Sequence, residues 1–261
     1  MIASQQPMIS VIVAVLNNVN TLDACLKSII SQTYLQKELV VIDGGSTDGS
    51  LDIIEKNSPN ISYWRSEPDA GVYDAWNKAL VHTHGEWICF LGADDFFWNH
   101  RVLDNIQPWL NQAKTQGIRV VYGKAAWVNK KGDLLKTLGK PWRKVKWLMP
   151  HGMPIPHPGL MQHRDLFDEH GPFDLSFPIA GDYEFLLREL KKKDALFVEG
   201  LTVVGWRSGG MSDDHSLEAH KEVLDARRKN DIRGLSWVWC AVHARNIVRK
   251  YWWKWRRFLK A

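Results

Sequence analysis

The sequence predicts an α/β fold in which helices flank a mostly parallel sheet. Residues 9–16, 39–43 and 87–91 are continuous apolar runs rich in β-branched side chains, the composition of strands covered on both faces. Helical periodicity occupies the segments between them, 21–32, 48–56 and 73–82. Such alternation calls for right-handed crossovers between parallel neighbours. Asn20 and Thr47 are expected to cap the first two helices, because a short polar side chain accepts from the free N–H groups of a first turn.

After residue 124 the pattern changes. Residues 125–138 read as a hairpin turning at Asn129-Lys130-Lys131-Gly132, and 150–158 is too rich in Pro and His for regular structure. That stretch is either a surface loop or the wall of a site. A helix over 182–193, a strand over 196–204 and a helix over 216–230 complete the body.

The chain has 261 residues, 45% of them hydrophobic, enough for a full core in one or two domains. Its formal charge of +5 is unevenly placed. Residues 233–261 hold eight basic side chains and no acid, whereas residues 1–232 hold 26 basic against 29 acidic ones. Basicity therefore belongs to a tail, which argues against nucleic acid as a partner of the body. Cys25, Cys89 and Cys240 lie too far apart for a disulfide framework or a metal spacing and fit a reducing compartment. The first apolar run is far below the roughly 20 residues that span a bilayer, and no basic segment precedes it. Neither a signal peptide nor a transmembrane helix is expected.

In sheets of this type ligands gather at the carboxyl ends of the strands. Asp43 closes the second strand and opens Asp43-Gly44-Gly45-Ser46-Thr47-Asp48-Gly49, whose glycines let backbone approach a ligand; read alone, it is equally a turn with a helix cap. Asp94 and Asp95 follow the strand over 87–91. Adjacent carboxylates repel unless a cation lies between them, and oxygen ligands suit Mg2+ or Mn2+.

Taken in order, the motifs resemble those of the inverting family 2 glycosyltransferases of the GT-A fold. The resemblance runs through Ile9-Ser10-Val11-Ile12-Val13 with Asn17, Ser28-Ile29-Ile30-Ser31-Gln32-Thr33-Tyr34 and the Asp43–Gly49 turn. It continues in Ser66-Glu67-Pro68-Asp69-Ala70-Gly71-Val72-Tyr73-Asp74-Ala75-Trp76-Asn77-Lys78, Gly92-Ala93-Asp94-Asp95, Gly171-Pro172-Phe173-Asp174 and Ala180-Gly181-Asp182-Tyr183-Glu184. The block beginning at Glu67 is most similar to the bacterial branch that builds O-antigen, capsule and other exopolysaccharide units.

The resemblance implies a Rossmann-like sheet, a nucleotide-sugar donor, Mn2+ or Mg2+ as cofactor, and a single displacement without a glycosyl-enzyme intermediate. On this reading Asp43 contacts the base or ribose, and Asp69, Asn77 and Lys78 contact the donor. Asp94 and Asp95 divide the ribose and the cation between them. Asp182 is the general base that takes the acceptor's proton, and its place at a helix start favours the ionised form. As a plain structural residue it is an N-cap.

The family pattern has further acids at three positions where this chain carries Gly44, Gly92 and Gly181. Ser208-Gly209-Gly210-Met211-Ser212 resembles a loop that closes over the donor, and His215 just beyond is either a further metal ligand or a surface histidine. His151, His157 and His163 are expected on the acceptor side. Residues 1–124 then form the donor half and 125–232 the acceptor half of one domain.

A helix over 239–260 would place Ile247, Tyr251, Trp252, Trp255, Phe258 and Leu259 on one face and mostly Arg and Lys on the other. Such a basic amphipathic helix, within 237–260, suits an anionic headgroup layer; the alternative is packing on the body with a solvated basic face. Together with the family branch, it leads to a peripheral enzyme on the inner face of a bacterial membrane with a lipid-linked saccharide acceptor. Three alternatives are carried. A sugar nucleotidyltransferase should have a basic Gly-rich loop where this chain reads Leu16-Asn17-Asn18-Val19-Asn20. A non-catalytic membrane-bound scaffold would not need Asp94, Asp95 and Asp182 together, and a polymerising synthase is expected to have transmembrane helices.

Overall fold

The computed structural model describes residues 6–209, 216–234, 237–241 and 244. Strand β1 (Ile9–Val15) is central. It pairs in parallel with β2 (Lys37–Asp43) on one side and β4 (Trp87–Gly92) on the other, and β3 (Tyr63–Ser66) extends the sheet beyond β2. Helices α1 (Leu22–Ile30), α2 (Ser50–Asn57) and α3 (Val72–Leu80) form the crossovers. The short β5 (Phe96–Phe97) and α4 (Val102–Thr115) lead to β6 (Val120–Val128), which turns back as β7 (Leu134–Leu138). There follow α5 (Trp142–Val145), β8 (Met161–His163), α6 (Asp165–His170), α7 (Gly181–Leu190), β9 (Leu196–Arg207) and α8 (Ser216–Lys229).

The sheet order is β3-β2-β1-β4-β8-β6-β9-β5, with β7 beside β6. β1 to β4, β6 and β9 run one way; β5, β7 and β8 run against them. Successive side chains of a strand face opposite ways. Ile9, Val11, Val13, Leu39, Val41 and Leu91 accordingly share a core with α1 and α4. Ile12, Val40, Ile42, Ile88 and Phe90 share the other with α3 and α7. This double covering explains the continuous apolar runs.

The expected capping residues are displaced. The N-cap of α1 is Thr21, and Asn18 does the work assigned to Asn20: its carbonyl accepts from the Thr21 and Leu22 N–H groups at 3.1 and 3.0 Å. For α2 the N-cap is Gly49, in the left-handed region at φ 96°, and Asp48 Oδ1 in place of Thr47 accepts from the Ser50 N–H at 3.0 Å. Strands β3 and β8 and helix α4 add to the expected elements, and β9 runs three residues further, to Arg207. A 3-10 turn, Lys146–His151, enters the Pro/His stretch.

Residues 237–241 are helical, and the Trp239 indole N–H donates to the His220 carbonyl at 3.2 Å. Apart from 239–241 and 244, the amphipathic helix expected over 239–260 lies outside the described residues. Among the described residues no helix is long and apolar enough to cross a membrane.

At the amino end of the sheet, Glu38 is buried and ties three segments together. Its Oε1 accepts from Ser10 Oγ at 2.5 Å and from the His84 and Gly85 N–H groups, the latter at 3.0 Å, while Oε2 lies 3.2 Å from His84 Nδ1. Burial opposes ionisation, but these hydrogen bonds outweigh it and hold the carboxyl below its ordinary 4.5. Glu38→Gln should therefore destabilise the protein by about 1–3 kcal/mol in urea titrations at pH 7. The folded pKa is the lower one, so the wild-type advantage is full above pH 4.5 and disappears as pH falls through the folded value. An advantage that persisted unchanged in acid would contradict this account.

Candidate active site

The loops after β1 and β2 are stitched together at the carboxyl edge. Asn17 takes φ 52°, its N–H donates to Ser46 Oγ at 2.8 Å, and its Oδ1 accepts from the Thr47 N–H at 2.9 Å. Asp43 lies inside this wall and is fully buried. Its Oδ2 accepts from the Gly45 and Ser46 N–H groups at 3.1 and 3.0 Å and from Ser66 Oγ at 2.7 Å, while Oδ1 accepts from Ser46 Oγ. A base or ribose contact by Asp43 would require one of these bonds to open. Asp69 is seated over Gly44, and its Oδ1 accepts from the Gly71 N–H at 2.9 Å, just ahead of α3.

Asn77 and Lys78 are engaged within the protein. The Asn77 amide donates to the Phe173 carbonyl and accepts from the Phe173 N–H, both at 2.9 Å, clamping α3 to the 171–174 turn. Lys78 lies 3.1 Å from Asp74 and 3.4 Å from Glu67 and donates to the Pro68 carbonyl at 3.0 Å. These contacts fold the loop ahead of α3.

Asp94 and Asp95 converge beyond β4. A Cβ at Gly92 would lie 2.7 Å from Asp94 Oδ1 and 2.9 Å from Asp95 Oδ2, so glycine is what lets both carboxylates fold back over the strand end. Burial raises the Asp94 carboxyl. Burial and then the charge of Asp94 push Asp95 well above the ordinary range. Arg207, at the end of β9, braces the pair: its N–H donates to Asp95 Oδ1 at 2.9 Å, its guanidinium donates to the Asp94 carbonyl, and its Cζ lies 4.8 Å from the Phe96 ring centroid. Two crowded, partly desolvated carboxylates form an oxygen donor set that fits a divalent cation. Among the described residues no group of three or more His, Cys, Asp or Glu is arranged to hold a metal, and His215 lies outside those residues.

Asp182 is the second residue of α7, one turn position inside the helix, and the N-cap is Ala180. Its Oδ1 accepts from the Tyr183 N–H at 2.7 Å and from Tyr73 Oη at 3.2 Å; Oδ2 lies 3.9 Å from His157 Nδ1. Tyr73 belongs to α3, and His157 stacks on Trp76 with centroids 5.3 Å apart. Burial lowers the His157 pKa against the opposing charge of Asp182, keeping the imidazole neutral near pH 7. From α8, Glu222 Oε2 accepts from the Ile179 and Ala180 N–H groups at 2.9 and 2.7 Å and so caps α7 from outside.

A family model described as Glycosyl transferase family 2 matches residues 10–171. The chain belongs to that family. It is 32% identical over 187 residues to a "PGL/p-HBAD biosynthesis glycosyltransferase" of Mycobacterium tuberculosis, covering 70% of this chain and 69% of that one. A cholesterol galactosyltransferase of Borreliella burgdorferi is 37% identical over 89 residues, 33% of this chain and 25% of that one. Among solved structures, S. aureus TarS 1-349 in complex with UDP-GlcNAc superposes with TM-score 0.64 at 18% identity, over 84% of this chain and 66% of that one. A Pyrobaculum calidifontis mannosyltransferase with GDP-Man and Mn2+ gives 0.63 at 18%, over 89% and 66%. The chain spans 39% of a longer TarS chain. These two structural likenesses establish the GT-A fold.

Family membership makes this chain a glycosyltransferase and removes the nucleotidyltransferase alternative. All three glycines that depart from the family pattern have a site group seated on them: Asp69 on Gly44, the Asp94/Asp95 pair on Gly92 and the Tyr73 ring on Gly181, 2.9 Å from a Cβ there. Of the three expected histidines, His157 alone is shown against Asp182. His163 lies at the amino end of β4, 3.2 Å from Glu86, and His151 ends the 3-10 turn. Stretch 150–158 is partly buried rather than a free surface loop, with Ile155 and His157 packed inside.

Sequence reasoning missed Arg207, Glu222 and the role of Tyr73. Only Arg207 had a readable signal, an arginine between an apolar run and a Gly-rich loop. Gly92→Ala should displace the carboxylate pair and lower kcat/KM by about 10²-fold with little change in Tm; wild-type kinetics would refute that packing. Glu222→Ala should cost about 1 kcal/mol through loss of an external cap and lower kcat more than it raises KM. Equal kcat in the two proteins would uncouple this cap from Asp182.

Proposed function

We propose that this glycosyltransferase moves a hexose or N-acetylhexosamine from a UDP-sugar to a hydroxyl of a lipid-linked saccharide, inverting the anomeric centre. The observation that carries the reading is the pairing of two kinds of carboxylate at one edge of the sheet. Asp94 and Asp95 are crowded over Gly92, whereas Asp182 stands apart on a helix start, oriented by Tyr73. The UDP-GlcNAc held by the TarS neighbour supports a UDP-linked donor, and the lipid substrate in the name of the cholesterol galactosyltransferase supports a lipid-borne acceptor.

Asp182 accepts the proton of the acceptor hydroxyl as that oxygen attacks the anomeric carbon. The bond from that carbon to the diphosphate oxygen breaks on the opposite face, leaving the proton on Asp182 and the electron pair on the nucleoside diphosphate. Asp94 and Asp95 would hold the cation, and the manganese in the mannosyltransferase neighbour supports Mn2+, with Mg2+ as the other choice. Bound there, such an ion neutralises charge building on the leaving diphosphate. Asp69 and the Asp43 loop border the donor. His157, buried and stacked on Trp76, walls the base on one side. The bacterial polysaccharide pathways of the resembling branch and the cytoplasmic face of a membrane are the setting that fits these substrates.

Nucleotide release from UDP-, GDP- and dTDP-sugars, with Mn2+ or chelator, tests the reading. One donor should be hydrolysed slowly in a metal-dependent way, and Asp95→Asn should abolish this. Asp182→Asn should keep the donor-induced thermal shift yet lower transfer to acceptor by about 10²–10⁴-fold. Absence of release and of any donor-induced shift would overturn the proposal.

A further inference from the structure

We propose that the ribbon of β6 and β7, with the short helical segment that follows it, docks on an anionic lipid bilayer at the rim of the transfer site. Residues 130–147 contain seven basic side chains and one acid, within a body where acids outnumber bases. All seven are exposed. The single acid, Asp133, is occupied by the Asn129 amide at 2.9 Å, and among the described residues Lys146 alone of the seven has a carboxylate partner, Asp194 at 3.6 Å. The positive charge is thus left facing outward.

Apolar side chains are exposed within the same segment: Leu134 at 55%, Leu135 at 52% and Trp147 at 55%. Leu134 and Leu135 are neighbours on a strand and emerge on opposite faces. β6 is buried along most of its length and β7 is the exposed strand of the ribbon; a strand bare on both faces is poorly matched to a protein groove, which covers one. It suits edge-on entry into a headgroup layer, where leucines reach the acyl boundary while Lys130, Lys131 and Lys136 meet lipid phosphates.

The placement gives docking a consequence. Val128 pairs with Arg207, which braces Asp94 and Asp95, so the Asn129–Lys131 turn begins one residue beyond the metal-side wall of the site. The 3-10 turn Lys146–His151 packs against α8, from which the chain runs on to its basic final residues. Resting on the transferase reading of the site, a docked ribbon would hold that site at the bilayer surface, where a lipid-borne acceptor is concentrated.

Co-sedimentation of the full chain with phosphatidylcholine vesicles, and with vesicles also containing phosphatidylglycerol, tests the surface. The wild type should bind the anionic vesicles selectively, and Lys130→Gln/Lys131→Gln/Lys136→Gln should weaken that binding by about tenfold or more at unchanged Tm. Leu134→Ser/Leu135→Ser should remove the part of the binding that resists salt. Wild-type affinity in the lysine variant, equal binding to neutral vesicles, or a preference for single-stranded RNA through the same lysines would each overturn the proposal. Binding needs no turnover, so vesicle binding without donor hydrolysis would sink the transferase mechanism and leave the surface standing.

Discussion

Everything at the functional edge depends on β1, β2 and β4 being buried on both faces. Strands so covered have no room for polar side chains along their length, and the chemistry is confined to their ends. Both ends carry buried carboxylates. At the amino end Glu38 is ringed by donors and serves as a clip. At the carboxyl end the strands stop at Asp43 and Gly92, and the loops beyond them must satisfy their own polar groups. Asp43 does so by spending its oxygens on Gly45, Ser46 and Ser66. The wall beyond β1 and β2 is thus organised from behind by a buried acid.

The second half of the molecule is joined to the first by contacts that aim side chains. Tyr73 leaves α3 and meets Asp182 on α7, while Asn77 clamps the 171–174 turn. Trp76 and Phe90 form a floor on which His157 stacks. Glu222 reaches from α8 to the start of α7. Asp182 is therefore positioned by three elements distant in sequence, and a shift in any of them reaches its carboxylate directly. This coupling explains why close approaches recur at the site: where Gly181 meets the Tyr73 ring, no Cβ can intervene.

What the chain discloses before folding follows from the same physics. Strands β1, β2 and β4 are legible because double burial writes itself as an unbroken apolar run, and Asp94, Asp95 and Asp182 because they sit where such runs end or a helix begins. β3 is only partly buried and four residues long, and β8 has three, so neither leaves a pattern of its own. The caps were misplaced because clusters such as Asn17-Asn18-Val19-Asn20-Thr21 contain several competent residues, and the path of the backbone chooses among them. Arg207 and Glu222 act across 112 and 43 residues of separation, which local spacing does not encode.

Glu38 and Asp95 are both buried carboxylates, yet they are displaced in opposite directions. Glu38 has hydroxyl and N–H donors on one oxygen and an imidazole beside the other, so its charge is satisfied inside the protein. Asp95 has the backbone N–H of Arg207 to draw on, but it also faces Asp94, a second acid bent over the same glycine. A fold that supplies donors generously at one end of its sheet and crowds two acids at the other has not simply run short of partners. The deficit at Asp94 and Asp95 is local, and a bound cation would relieve it. The difference separates an acid that holds the sheet together from a pair suited to chemistry.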